Sequence, residues 1–152
     1  MDISGLRITR VRQVRPGTLF YHLSAGKNVV CLSAIRLGGS DGEELVVPLC
    51  FDAEPESVGR AMYAANFDGF AAILTDVEAV PDYSTASEAP KGAIFTDGEN
   101  LLYPLVGSRG FSEFVDVVSG VIDPKAYPRI AFESWSVVDV TDRDRKIYSS
   151  GG

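Results

Sequence analysis

The chain has 152 residues, which is enough for one hydrophobic core to be stable without disulfides or bound metals. Hydrophobic residues make up 45% and charged residues 23% of the chain, so an intrinsically disordered protein is excluded. The net charge of −7 at pH 7 would repel phosphate backbones, which argues against a general nucleic-acid-binding protein.

Targeting and cysteine patterns favour a cytoplasmic protein. The first residues contain no apolar signal segment, and no run of about 18 uncharged apolar residues occurs, so we expect a soluble chain without membrane association. The two cysteines do not form a C-x-x-C pair, and in a reducing compartment we expect two thiols rather than a disulfide. The sequence predicts neither a metal ion nor a cofactor.

The N-terminal strand carries a basic strip. Residues 6–10 alternate as a strand, and a bulge or a short helical turn follows near Arg10. Residues 1–40 contain six basic residues against Asp2 alone, a charge of +5, so the rest of the chain carries −12. The strip either lies in solvent, pairs with the protein's own acidic surface, or binds an anionic ligand or an acidic partner. Its members are Arg7, Arg10, Arg12 and Arg15.

Residues 18–51 contain three apolar runs separated by two turn-like clusters, which predicts a three-stranded antiparallel meander. We expect the first hairpin to place Tyr21 opposite Cys31, and the second to place Cys31 opposite Cys50. Side chains alternate along a strand, so His22 then faces the main core. Apolar residues on both faces predict that the middle strand is covered on both sides.

Two short helices are predicted by apolar residues at i, i+3, i+4 and i+7. The first spans Pro55–Asn66 and follows an acidic, proline-containing start. The second spans Phe111–Ser119, with Glu113 placed to cap it and Gly120 to end it. Their apolar faces are predicted to be Val58, Ala61, Met62 and Ala65 in the first helix, and Phe111, Phe114, Val115 and Val118 in the second.

The other elements are strands and loops. Residues 71–80 predict one strand, and Pro81–Pro90 predicts a long loop that either binds a ligand or only connects elements. Asp97-Gly98 between two apolar runs indicates a hairpin. Residues 129–140 predict a long last strand, and residues 141–152 predict a loosely held tail.

The sequence contains no recognisable catalytic constellation. His22 is the single histidine, and its apolar neighbours favour a structural role over that of a general base. The acidic residues at 139, 142 and 144 resemble a calcium loop only in part, since Lys146 and Ile147 stand where an EF-hand needs a ligand and a glycine. Residues 38–42 open no helix, which argues against a phosphate-binding loop.

These observations predict a single α+β, β-rich domain over residues 1–152, with about six to eight strands in antiparallel meanders and hairpins. We expect a curved sheet or a partly open barrel with two short helices packed on it. A meander at 1–51 is followed by a helix-strand-hairpin-helix-strand region at 52–140 and the tail.

The favoured function is a non-catalytic binding or assembly module that self-associates as a dimer or binds an acidic protein. The alternative is a small enzyme or ligand-binding protein whose pocket lies under the 81–90 loop and is lined by Tyr21, His22, Tyr83 and Tyr103.

Overall fold

The computed structural model of the chain describes residues 5–24, 27–37, 42–49, 59–88, 92–105, 113–123 and 130–149. Two 3-10 helices, Val11–Gln13 and Ala64–Asn66, accompany fifteen strands in these residues. The strands are β1 Ile8–Arg10, β2 Leu19–Ser24, β3 Lys27–Arg36, β4 Glu43–Pro48, β5 Met62–Tyr63, β6 Phe70–Ile73, β7 Val77–Pro81, β8 Thr85–Ala86, β9 Phe95–Thr96, β10 Leu101–Leu105, β11 Glu113–Asp116, β12 Val121–Asp123, β13 Ile130–Phe132, β14 Trp135–Asp139 and β15 Lys146–Ser149.

The strands form two sheets. A twelve-stranded sheet follows the order β1-β6-β2-β3-β12-β11-β10-β9-β13-β8, and β4 pairs with the second edge of β3 and with β5. Its pairs are antiparallel except for β3 with β12, which run parallel. The smaller sheet has the antiparallel order β15-β14-β7. The β-rich class is confirmed, but the predicted number of strands is wrong.

Both predicted helices are wrong. The described part of the first contains β5 and a 3-10 helix, and Gly59 at φ +77° has a backbone conformation that an α-helix excludes; residues 55–58 lie outside the described ranges. The described part of the second contains β11 and a turn, and its apolar residues follow a strand pattern: Val115 is buried while Val118 is exposed. No helix within the described ranges is long and apolar enough to cross a membrane.

The predicted meander is confirmed as β2-β3-β4, but its register is wrong. Ser24 pairs with Lys27, so a two-residue connection closes the first hairpin and places Tyr21 opposite Val30. This one-residue shift exchanges the faces of β2. In the second hairpin, Cys31 lies opposite Pro48, a shift of two residues that keeps the faces of β4; Cys50 is outside the described residues.

Two hydrophobic cores cover the two faces of β3. We expected later parts of the chain to provide both covers, but the second core also takes Val11, Val14 and Phe20 from the segment before β3. The main core joins both sheets, because Val30 and Leu32 of β3 belong to the same cluster as Trp135 of β14 and Tyr148 of β15. The second core lies under the two 3-10 helices. It is formed by Val11, Val14, Phe20, Cys31, Val46, Ala64 and Ala71.

Two segments predicted as single strands each divide between the sheets. Of residues 71–80, the first three belong to β6 and the last four to β7, and Asp76, at φ +53°, lies between the two strands. Residues 129–140 contain β13 and β14, which are separated at 133–134. The predicted loose tail is also wrong over its described part, because β15 pairs with β14 and the Tyr148 hydroxyl donates to the Leu49 carbonyl at 2.9 Å. The hairpin at 97–98 is confirmed as β9 paired with β10.

Candidate functional site

Strand β1 forms an open edge of the large sheet. It pairs with β6 on one side, and no other strand within the described ranges pairs with it. Ile73 donates its amide to the Arg7 carbonyl at 2.9 Å, and Val11 donates to the Gly69 carbonyl at 3.2 Å. Backbone groups alternate in direction along an antiparallel strand, so the N–H and C=O of Ile8 and the N–H of Arg10 point away from the sheet. The Arg10 carbonyl accepts within the 3-10 helix that follows, because Arg10 is its N-cap residue.

The arginine side chains around this edge lie in solvent. All four members of the strip are exposed, and none forms an ion pair with a residue that the structure describes. The guanidinium carbon of Arg10 lies 5.1 Å from the centroid of the Phe70 ring, a cation–π distance. Ile8 and Phe70 are 46% and 47% exposed, so apolar surface borders the charged groups.

The 3-10 helix that follows β1 fixes the second half of the strip. Val11 and Val14 are buried in the second core, and the Ser33 hydroxyl donates to the Val14 carbonyl at 3.1 Å. Because Val11 and Val14 face the core, the neighbouring Arg12 and Arg15 remain exposed. The strip is therefore held on packed backbone rather than on a long loop.

Arg36 and Arg143, by contrast, are paired with carboxylates. Arg36 donates to both carboxylate oxygens of Glu113, at 2.8 and 3.1 Å, and to Glu43 at 3.2 Å. The Glu113 carboxylate raises the pKa of the Arg36 guanidinium. Arg143 pairs with Glu78 at 2.6 Å. Within the described residues, the strip is thus a set of cations that can bind an external anion without first breaking an ion pair.

The structure disperses the four residues of the predicted ligand pocket. Tyr21 faces the main core and lines a cleft between the sheets. His22 lies on the opposite face of β2, with its Nε2 3.4 Å from the Asp68 carbonyl oxygen and its ring edge-on to Phe67. Tyr103 belongs to the same core as Tyr21, and Tyr83 follows β7.

Tyr83 and Tyr103 occupy opposite extremes of exposure. Tyr83 is 74% exposed, and its ring lies edge-on to Phe132. Tyr103 is 1% exposed and packs against Trp135 in the main core, where burial raises the pKa of its phenol. The four side chains thus do not converge on one cavity, and of the four only Tyr21 lines the cleft.

The described part of the 81–90 loop is held by Asp82. Its carboxylate accepts from the Ser134 hydroxyl at 2.5 Å and from the Ser84 amide at 3.0 Å, and the Ser134 bond is the main reason that its pKa is lowered. Thr85 and Ala86 then form β8 against β13. Residues 89–90 lie outside the described ranges. The part of the loop that is described therefore serves as a sheet edge.

Within the described ranges, no three His, Cys, Asp or Glu side chains come together as metal ligands. Sequence reasoning located the basic strip but missed Phe70, which reaches Arg10 only through the pairing of β1 with β6. A local sequence signal for that contact does not exist, because the two strands are distant in the chain.

Comparison with known proteins adds no assignment. No known protein family matches the chain. No curated protein matches it, and no solved structure matches it.

Proposed function

We propose that this protein is a cytoplasmic, non-catalytic binding module that captures an extended acidic segment of a partner protein along β1. The observation that carries the proposal is a strand edge that no other described strand pairs with, bordered by four exposed arginines that form no ion pair with any described residue. The N–H and C=O of Ile8 and the N–H of Arg10 supply two donors and one acceptor for an added strand, which is how peptides bind by strand addition.

The side chains favour acidic over neutral segments. Guanidinium groups bind carboxylates in a planar, two-pronged geometry, and several of them side by side attract a segment with repeated acidic residues. Ile8 and Phe70 lie on the same face of the sheet as Arg10, so they offer apolar contact to the methylene groups of acidic side chains that reach Arg10. The preferred segment thus carries an acidic side chain at every second position, all on the face of Arg10.

A symmetric pairing of two β1 strands is a poorer use of the edge. Antiparallel pairing of two copies would bring the eight arginines of two strips together, and like charges on neighbouring strands are destabilising. A second copy could still bind by presenting acidic surface to the strip, since the rest of the chain carries −12. Sedimentation separates the two cases, because a partner-binding module stays monomeric at low salt.

A short fluorescent peptide that alternates glutamate and valine is the direct probe. We expect it to bind the wild-type protein and to lose affinity as salt rises from about 0.05 to 0.5 M. A lysine–valine peptide should displace it only poorly. Reversing two charges with Arg10→Glu and Arg12→Glu should weaken binding about tenfold or more. Arg60→Glu is the matched control, because Arg60 is exposed and lies outside the strip.

Ile8→Pro tests strand addition separately from charge. The Ile8 amide points away from β6, so proline removes an outward donor and leaves the β1–β6 hydrogen bonds in place. We expect this variant to melt within a few degrees of wild type and to lose peptide binding, whereas Ile8→Val keeps it. Peptide binding unaffected by Ile8→Pro would contradict strand addition, and a dimer at low salt would make a second copy the partner.

A further inference from the structure

A cleft of about 360 Å³ lies where the two sheets meet. Three chain segments form most of it: β2, the connection from β6 to β7, and the β14–β15 hairpin. Its volume is at the lower end of the range for small-molecule sites, which suits a molecule with about one ring. The cleft is lined by Leu6, Tyr21, Leu74, Thr75, Asp76, Val77, Asp139, Thr141, Arg145 and Ile147.

The apolar side chains of the cleft provide the smaller part of its surface, and polar groups provide the rest. Tyr21 and Leu74 belong to the main core and are 9% and 7% exposed. Leu6, Val77 and Ile147 pack against the same core and are only partly buried, so they leave apolar surface facing the cleft. An apolar body of a ligand would cover this surface and remove it from water.

Asp139 is the less exposed of the two aspartates that line the cleft. Its side chain is only 23% exposed, and its Oδ1 accepts from the Thr141 hydroxyl at 2.6 Å and from the Thr141 amide at 2.8 Å. The Thr141 hydroxyl is the main reason that the pKa of Asp139 is lowered, so the carboxylate is charged at neutral pH. Its Oδ2 lies 3.9 Å from Nη1 of Arg145, which is beyond direct hydrogen-bond distance.

A second carboxylate belongs to Asp76. Its backbone carbonyl accepts from the Val140 amide at 2.8 Å, which ties the β6–β7 connection to the end of β14. Its side chain is exposed and forms no hydrogen bond or ion pair with a residue that the structure describes. The two carboxylates outnumber Arg145, whose side chain is 65% exposed and therefore well solvated. The cleft thus has a net negative charge beside a smaller apolar patch.

We propose that this cleft binds a small molecule with an apolar body and a single ammonium group. The apolar body lies on Tyr21, Leu74 and Ile147. The ammonium group donates to the Asp139 Oδ2 and to the Asp76 carboxylate, where it competes with Arg145 for Asp139. A neutral analogue keeps the apolar contact and loses the charge-assisted bonds, and a carboxylate analogue is repelled by both aspartates.

Phenethylamine is a suitable probe, with phenethyl alcohol and 3-phenylpropionate as the neutral and anionic counterparts. In amide-resolved NMR titrations we expect phenethylamine to shift resonances of the cleft residues with a dissociation constant of roughly 1 mM, the scale for so small a ligand. The alcohol should bind several times more weakly and the carboxylate more weakly still. The double Arg10→Glu and Arg12→Glu variant should bind the amine as wild type does, because the strip lies outside the cleft.

Single substitutions assign the charges. Asp139→Asn and Asp76→Asn should each weaken phenethylamine severalfold, while Arg145→Gln should strengthen it by removing the competing cation. Asp68→Asn is the control, since Asp68 is an exposed aspartate outside the cleft. If Asp139→Asn unfolds the hairpin, Asp76→Asn and Arg145→Gln still decide the matter. The proposal is overturned if 3-phenylpropionate binds more tightly than the amine, if Arg145→Gln weakens amine binding, or if Asp68→Asn weakens it as much as Asp76→Asn does.

Discussion

Gly17 and Gly120 lie in backbone contact beside β3, although they come from distant parts of the chain. The Gly17 amide donates to the Ser33 carbonyl at 2.8 Å, and two residues further along β3 the Ile35 amide donates to the Gly120 carbonyl at the same distance. The segment that leads into β2 and the segment that leads into β12 therefore end against one edge of β3. Because of this contact, β2 and β12 pair one after the other along the same edge of β3, β2 antiparallel and β12 parallel to it.

Gly120→Ala should be strongly destabilising. A Cβ atom at this position would lie 2.7 Å from the Ser33 carbonyl oxygen and 2.9 Å from the Gly17 Cα, and φ is +75°. We expect a loss of about 3 kcal/mol or more in the free energy of unfolding, because overpacking adds to the backbone cost. Urea denaturation measures it.

Gly5→Ala is the matched control for that variant. Gly5 also has a positive φ, +81°, but a Cβ there meets nothing within 4 Å. Its cost should be limited to the backbone term of about 1–2 kcal/mol. Equal losses for the two variants would show that the close approach of Gly17 and Gly120 adds nothing to the effect.

The Arg36–Glu113 pair links β3 to β11. Both side chains are about one-third exposed, and two hydrogen bonds join them, so we expect a coupling free energy of about 0.5–1 kcal/mol that falls as salt rises. A double-mutant cycle with Arg36→Met and Glu113→Gln measures it by chemical denaturation. The Arg36–Glu43 pair has a single bond at 3.2 Å and should couple less. A larger coupling for Glu43 would contradict the role given to the two-pronged geometry.

Sequence patterns predicted the parts of the fold that depend on local turn chemistry. The Asp97-Gly98 hairpin forms because the Asp97 carboxylate accepts from the amides of Glu99 and Asn100 within the turn. The helix predicted at 111–119 was wrong because a strand of four residues offers too few positions to separate a period of 2 from a period of 3.6. Its proposed capping residue, Glu113, instead binds Arg36 across the sheet.

The division of single predicted strands between two sheets has no comparable local signal. It depends on the positive φ of Asp76 and on the break at Ser134, both of which are stabilised by bonds to other segments. The same limit applies to the sites. The arginine strip is visible in the sequence because its members are close together, whereas Asp76, Asp139 and Arg145 share the cleft only after both sheets have formed.

The register between β2 and β3 decides whether Tyr21 or His22 faces the cleft. A hairpin with a five-residue connection would have turned His22 toward the main core, while the two-residue connection turns Tyr21 there. Both connections agree with the apolar pattern, because β3 is apolar on both faces. The sequence therefore predicted both Tyr21 and His22 as pocket candidates, and the structure places only Tyr21 at the cleft.

Tyr103 predicts a specific weakening of the fold at alkaline pH. Burial raises the pKa of its phenol above the ordinary value of about 10, so the unfolded chain loses this proton at a lower pH than the folded chain does. Between those two pKa values the folded state binds more protons, and stability falls as pH rises. The contribution of Tyr103 to the free energy of unfolding is complete below about pH 10 and is lost at about 1.4 kcal/mol per pH unit above it.

Tyr103→Phe removes this loss, so its free energy of unfolding should decline by about 1 kcal/mol less than that of wild type between about pH 9 and 11. Tyr83→Phe, at a position 74% exposed, should decline in parallel with wild type. Urea denaturation at the two pH values measures all three proteins, and parallel declines for Tyr103→Phe and wild type would show that the Tyr103 phenol reaches solvent readily enough to ionise in the folded state.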